Sequence, residues 1–137
     1  MKLQDYIQRG QVKKSSPDIS LSKSLVKTAK NDLEFLDSLR ISPISARKIM
    51  SNYYDVLRSI LEAISALDGY KIYSHEAFTY FLAEKGENLI SKKFDRFRKI
   101  RNQINYYGKD ISVEEVKENI KEVKGLIDEL STKYLKK

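Results

Sequence analysis

The sequence FDRFRKIRNQINYYGK, residues 94–109, contains the two patterns from which the fold and the candidate site are predicted. At about 100° per residue, apolar side chains of this stretch and the turn before it fall on one broad helical face, which must be buried. They are Ile90, Phe94, Phe97, Ile100 and Ile104. A polar stripe with the spacing i, i+3, i+4 and i+7 lies beside that face and consists of Arg98, Arg101, Asn102 and Asn105. The stretch therefore predicts an amphipathic helix that ends at Gly108.

Arg101 lies on the border between the two faces, close to the direction of Phe94 and Phe97. Burying a guanidinium without partners is costly, so we expect a carboxylate, a carbonyl or a bound anion beside it. The alternative is an arginine whose stem lies along the core and whose charged head reaches water.

The composition limits the chain to one domain and to few classes of function. Its 137 residues are enough to bury a core without disulfides or metals. Because there is no cysteine and only one histidine, disulfide frameworks, thiolate sites and multi-histidine metal centres are excluded, and we expect no metal and no cofactor.

The net charge of +7 favours an acidic partner such as RNA or a nucleotide, although lysine-rich surfaces also serve solubility. With no apolar run of about 20 residues and no signal-peptide pattern, we expect a cytoplasmic protein that does not enter a membrane.

Capping signals divide the chain into helices. Residues 1–16 are predicted to form an N-terminal arm or short helix, and residues 17–137 a single domain. We find no strand-period segment of useful length, and short connections between long helices favour antiparallel neighbours. The sequence thus predicts an all-α, up-and-down bundle of four to five helices. The first three are expected from about Asp18 to Leu39, from Ser42 to Gly69 and from Ser74 to Gly86. The fourth is the stretch quoted above, which ends at Gly108, and the fifth runs from Ser112 to the C-terminus.

Antiparallel packing is expected to bring the end of the second helix, the start of the third and the end of the fourth to one pole of the bundle. His75 would serve there as a general acid or base or as a phosphate contact, or would simply pack in the first helical turn. Glu76 would complement the helix dipole or pair with Arg101. The residues expected at this pole are Asp68, His75, Glu76, Arg101, Asn102, Tyr106 and Tyr107.

Basic residues surround the fourth helix and have two possible uses. They would contact phosphates, with Tyr106 and Tyr107 stacking on bases, if the protein binds nucleic acid. Alternatively they form ion pairs with the acidic last helix. The basic set is Lys92, Lys93, Arg96, Arg98 and Lys99, and the acidic set is Glu114, Glu115, Glu118 and Glu122.

Three segments together resemble the HEPN domains of prokaryotes: YDVLR at 54–58 followed by LEA at 61–63, GYKIYSHEA at 69–77, and FRKIRNQINYYG at 97–108. The resemblance covers about residues 15–130. It implies a bundle of four or five helices that dimerises near the motif. Many HEPN domains cut RNA without metal through an Arg and a His, four to six residues apart, from each protomer. Others pair with a minimal nucleotidyltransferase, often as toxin and antitoxin.

In this resemblance the motif arginine falls on Arg101 and the asparagine that often follows it falls on Asn102. The histidine position falls on Tyr106, Tyr107 or Gly108, so the histidine is missing. Metal-free RNA cleavage needs a proton acceptor and a proton donor, and a tyrosine with a pKa near 10 is a poor acceptor.

The resemblance therefore implies a module that binds RNA or a nucleotide in a dimer cleft, rather than an efficient enzyme. Its ligand-binding residues would be Arg98, Arg101, Asn102, Asn105, Tyr106, Tyr107 and Glu76. The alternative is a metal-free ribonuclease that uses Arg101 with Tyr106 or His75. A third possibility is an interaction subunit of a nucleotidyltransferase complex.

Overall fold

Six α-helices and a two-stranded ribbon make up residues 1–135, the part of the chain that the structure, a computed structural model, describes. The prediction of an all-α bundle is confirmed. None of the helices in this part of the chain has the length together with the apolar character that a membrane span requires. The elements are α1 Leu3–Gln8, β1 Val12–Lys14, α2 Ile19–Asp37, α3 Ala46–Leu67, β2 Tyr70–Ile72, α4 Ala77–Glu84, α5 Asn88–Tyr107 and α6 Val113–Leu130, followed by a π-helical segment Ser131–Leu135.

Helix α3 is the centre of the bundle, as its apolar sequence predicts. It packs against α2, α5, α6 and β2. The apolar face predicted for α5 is also buried, with Phe94 and Phe97 fully enclosed and Ile100 half-buried. Burying such side chains stabilises the fold by about 1.5–3 kcal/mol each, so α5 is fixed in rotation and its polar stripe is held at the edge of the core.

Several helix ends follow the predicted capping chemistry, and two predicted starts are shifted. Helix α4 begins at Ala77 rather than after Ser74, with Glu76 at the N-cap position and no side-chain cap. The side chains of Asp18 and Ser112 accept hydrogen bonds from Leu21 N and Glu115 N, and Gly108 ends α5 in the left-handed conformation at φ +63°. Helix α3 begins at Ala46 rather than directly after Ser42, since residues 43–45 form a turn. Ser42 still caps that turn, because its carbonyl accepts from Ala46 N at 2.8 Å.

The ribbon was not predicted from the sequence. β1 and β2 pair antiparallel with Val12 opposite Ile72, and Val12 is buried. In the preceding α1, Leu3 and Tyr6 are also buried, and this helix packs on α4. The N-terminal segment thus contains a short helix, and the residues that follow it pack against the bundle as a strand.

The chain reverses at Gly69 between α3 and β2. Its φ is +82°, and a β-carbon there would lie 2.6 Å from the carbonyl oxygen of Ser15. The close approach is held by Ser15 N, which donates to Gly69 O at 2.7 Å, and by Asp18 N, which donates to Ala66 O at 2.9 Å. Only glycine satisfies both the backbone angle and the contact.

Gly69→Ala is therefore expected to destabilise the protein more than Gly86→Ala. Gly86 has the same φ of +82°, but nothing lies within 4 Å of its β-carbon position. The left-handed angle alone costs about 1–2 kcal/mol, which applies to both variants. The clash with Ser15 adds to that cost only in Gly69→Ala. Urea unfolding of both variants measures the difference, and equal losses would contradict the proposed close contact.

Candidate functional site

His75 lies beside the middle of α3, not at its end. Tyr54, which faces His75, precedes Asp68 by fourteen residues, or about 21 Å of helix. Strand β2 and the loop after it run back along α3 by about 20 Å, since an extended chain advances about 3.3 Å per residue. The expected position of Asp68 at this pole is therefore wrong. Asp68 pairs with Lys85 at 2.6 Å instead.

Tyr54 forms the floor of the candidate site. Its fully buried ring stacks on Phe94 at 5.6 Å and lies 5.9 Å from the His75 ring, centroid to centroid. Burial raises the pKa of Tyr54 above its usual range, so the hydroxyl stays protonated. That hydroxyl lies 3.2 Å from His75 Nδ1, and the imidazole tautomer decides which of the two groups donates. In the tautomer in which Tyr54 donates, the imidazole proton resides on Nε2, the ring atom left for another contact.

Three arginines surround His75, and we call the group of Tyr54, Arg58, His75, Arg98 and Arg101 the arginine–histidine cluster. Burial, followed by repulsion from Arg58, Arg101 and Arg98, lowers the pKa of His75 from 6.5 to about 4. The imidazole is thus neutral near pH 7, and the positive charge of the cluster belongs to the arginines.

Two of these arginines have carboxylate partners. Arg98 binds Asp95 at 2.8 Å and reaches Glu76 at 3.6 Å. Arg58 pairs with Glu62, one turn further along α3. Even so, Nε of Arg58 is one of the three buried side-chain polar atoms in residues 1–135 that have no hydrogen-bond partner.

Arg101 has no carboxylate within salt-bridge distance anywhere in residues 1–135. Its half-buried guanidinium lies over the rings of Tyr54 and Tyr106, at 5.8 and 5.6 Å, and Nη1 donates to the Tyr106 hydroxyl at 3.2 Å. Nε of Arg101 is a second buried atom without a partner in the described residues. Of the three partners expected from the sequence, the described residues supply Arg101 with neither a carboxylate nor a carbonyl. A bound anion is the partner that remains.

Asp55 adds a carboxyl group to the edge of the cluster. Burial raises its pKa above the usual range, against the opposing effect of Arg58 and Arg101. Sequence reasoning had missed Tyr54, Asp55 and Arg58 as site residues because they lie on the helix that forms the core. The signal in the sequence is the position of an aspartate one residue after, and an arginine four residues after, the tyrosine at 54 on the longest helix.

The remaining predicted residues divide into two groups. Glu76 accepts from the hydroxyl of Tyr6 and pairs with Arg98, so it is not the partner of Arg101. Asn105 is anchored to α3, accepting from Ser51 Oγ at 2.9 Å. The side chains that remain are Asn102, which is half-buried beside Arg101, and Tyr106 and Tyr107, which are 68% and 83% exposed.

The basic side chains around α5 point in different directions. Arg96 pairs with Glu122 of α6, and Lys93 reaches the same carboxylate at 3.9 Å. Lys99 pairs with Asp95 on its own helix. The expected ion pairs with the acidic last helix are thus confirmed at Glu122, and Arg98 and Arg101 are the α5 arginines that lie in the cluster.

Residues 1–135 contain no group of three or more metal-ligating side chains close enough to hold an ion. Two apolar grooves of about 590 and 670 Å³ run along α2 and include none of the cluster residues.

Comparisons of the chain with protein families, with curated proteins and with solved structures found no match. The HEPN resemblance therefore stays a prediction.

The depressed pKa of His75 predicts a pH dependence of stability. Between pH 6.5 and about 4 the unfolded chain binds a proton at His75 that the folded chain does not bind. The free energy of unfolding should therefore decrease as the pH falls through this window. His75→Gln, which keeps a hydrogen-bonding group beside Tyr54, should lose less stability than the wild type between about pH 7 and pH 5 in urea unfolding.

Wild type and His75→Gln contain the same carboxylates, so the contribution of these groups to the pH dependence of stability cancels in this comparison. An equal loss in both proteins would mean that His75 has an ordinary pKa in the folded chain and that the arginines do not act on it.

Proposed function

We propose that the arginine–histidine cluster binds the phosphate group of RNA or of a nucleotide. The observation on which this depends is Arg101, a half-buried guanidinium with no carboxylate partner in residues 1–135 and with a buried, unpaired Nε. A phosphate would satisfy this group with charge-assisted hydrogen bonds, which are the strongest kind that a side chain makes. The guanidinium is planar and matches two phosphate oxygens at once.

The chemistry of His75 supports the same proposal. In the tautomer in which Nδ1 accepts from the Tyr54 hydroxyl, Nε2–H is a neutral donor. A neutral imidazole adds a hydrogen bond without adding repulsion between the arginines. Once an anion is bound, its charge favours the imidazolium form, so binding and protonation of His75 reinforce each other.

Three features support a nucleic acid or nucleotide as the source of the phosphate. The net charge of +7 attracts polyanions. Tyr106, bonded to Arg101 and largely exposed, offers a ring on which a base can stack. The resemblance to HEPN domains points to RNA as well. It also suggests a homodimer, a minimal nucleotidyltransferase as partner and a toxin–antitoxin role, and we include these three in the proposal.

A dimer that meets at the end of α5 would join two clusters in one cleft. Tyr106 and Tyr107 are strongly exposed there, and exposed tyrosines are enriched in protein interfaces. In such a cleft a single RNA strand contacts the arginines of both protomers.

Ribonuclease activity is the second candidate, and Asp55 is the observation that favours it. Its raised pKa makes it a stronger proton acceptor than an ordinary aspartate, and it lies within the electrostatic reach of Arg101. In a metal-free cleavage Asp55 would take the proton of the 2′-hydroxyl while that oxygen attacks phosphorus. His75, once the bound phosphate has favoured its imidazolium form, would protonate the departing 5′-oxygen. The products would be a 2′,3′-cyclic phosphate and a 5′-hydroxyl.

Replacement of Arg101 should weaken RNA binding. Arg101→Gln removes the charge but keeps most of the side chain, and we expect a loss of about tenfold or more in affinity, since hydrogen bonds to charged groups contribute about 1.5–3 kcal/mol. The slope of log K against log salt should become shallower by about 0.7, the value for one phosphate contact on a single strand. Fluorescence anisotropy with labelled single-stranded RNA measures both quantities.

Arg96→Gln is the matched control, because Arg96 lies on the same helix but pairs with Glu122 of α6. Both variants lose one positive charge, so a difference in their RNA affinity reflects the position of the lost charge rather than the net charge. Equal binding by the two variants would contradict a phosphate site at Arg101.

A cleavage assay separates the two candidate functions. Wild type, Arg101→Gln and Asp55→Asn are incubated with single-stranded RNA and with tRNA in the presence of a chelator. Cleavage that both substitutions abolish would establish the ribonuclease. Intact RNA with all three proteins, together with binding that depends on Arg101, is the result we expect for a binding module.

A further inference from the structure

A second concave surface begins where the arginine–histidine cluster ends. It is a groove of about 380 Å³ between α2 and α3. Arg58 and Asp55 line it, and these two residues also act electrostatically on Tyr54 in the cluster. Arg58 thus belongs both to the cluster and to the lining of the groove, so the two surfaces share this side chain. Its volume falls within the range of about 300–1,000 Å³ that is usual for small-molecule sites.

Phe35 lies on the α2 side of this groove and is 62% exposed. Other residues of α2, among them Ala29 and Leu36, pack this helix against the core, so the Phe35 ring contributes little to the core. An exposed aromatic ring beside a cluster of cations is the usual platform on which a nucleobase stacks.

The polar groups of the groove include both acceptors and donors. Asp32 and Asp55 offer carboxyl oxygens, Asn52 an amide, Ser59 a hydroxyl and Arg58 a guanidinium that donates. The carboxyl oxygens favour a base that presents an exocyclic amino group, as adenine and cytosine do. Uracil carries a carbonyl oxygen at the position where cytosine carries its amino group, so it loses this hydrogen bond.

We infer that the groove lined by Phe35, Asn52 and Asp55 binds the base of the nucleotide whose phosphate lies on Arg58 and Arg101, and that it selects amino-bearing bases over uracil. This inference rests on the proposed function, because it takes the phosphate site as given. It adds an aromatic platform and a base preference that neither Arg101 nor Tyr106 explains.

The test compares three probes by titration calorimetry: AMP, UMP and ribose 5-phosphate, which lacks a base. Wild type should bind AMP about tenfold more tightly than ribose 5-phosphate, the size of effect that one stacked base gives. UMP should bind more weakly than AMP. Phe35→Ala should lose the advantage of AMP while its affinity for ribose 5-phosphate stays the same.

Two further variants make the result specific. Phe35→Tyr keeps a ring at this position and should retain the preference for AMP. Leu89→Ala removes another exposed apolar side chain, 67% exposed on α5 and absent from the groove, and should behave as the wild type.

The outcomes separate the two proposals. Equal affinity of wild type for AMP and ribose 5-phosphate would overturn the base site and leave the phosphate site intact. Equal affinity for AMP and UMP would overturn the inferred selection of amino-bearing bases. Ribose 5-phosphate binding that Arg101→Gln leaves unchanged would instead overturn the phosphate site.

Discussion

At the end of α3 the backbone of Gly69 passes so close to Ser15 that a β-carbon would lie 2.6 Å from the Ser15 carbonyl oxygen. This reversal allows β2 to pair with β1 and to run back along α3. The loop after β2 then brings His75 to the hydroxyl of Tyr54. Without the reversal His75 would lie near Asp68 and far from the arginines. The position of the candidate site thus depends on one backbone contact, distant from the site itself.

The cluster that results has an unequal charge distribution. Arg58 and Arg98 are paired with carboxylates, whereas within residues 1–135 Arg101 is held only by aromatic rings and by the hydroxyl of Tyr106. Burial, together with this field, keeps His75 neutral. Such an arrangement is costly in the free protein, because buried donors in residues 1–135 remain unpaired. A bound anion would offset this cost, which is the physical reason for proposing a phosphate site rather than a structural ion pair.

The sequence predicted those features that follow from periodicity and capping. The buried face of α5, the caps at Asp18 and Ser112 and the end at Gly108 are examples, since each is determined by residues within one or two turns. The ribbon was missed because strands of three residues are too short to show a two-residue period. That omission shifted the expected pole by about 20 Å, so Asp68 was included wrongly and Tyr54, Asp55 and Arg58 were overlooked. Arg101 was singled out because it borders the apolar face and is followed by Asn102, by the paired tyrosines and by the helix-ending Gly108.

The pKa of His75 with and without a bound phosphate tests the central claim most directly. Because the chain has one histidine, its imidazole signals can be followed by NMR without ambiguity. In the free protein the His75 imidazole should titrate with a pKa of about 4. Saturating ribose 5-phosphate should raise the pKa of His75 by about one unit or more, since a bound anion favours the imidazolium. A pKa that is the same in the presence and absence of the phosphate would contradict an anion site between Arg101 and His75.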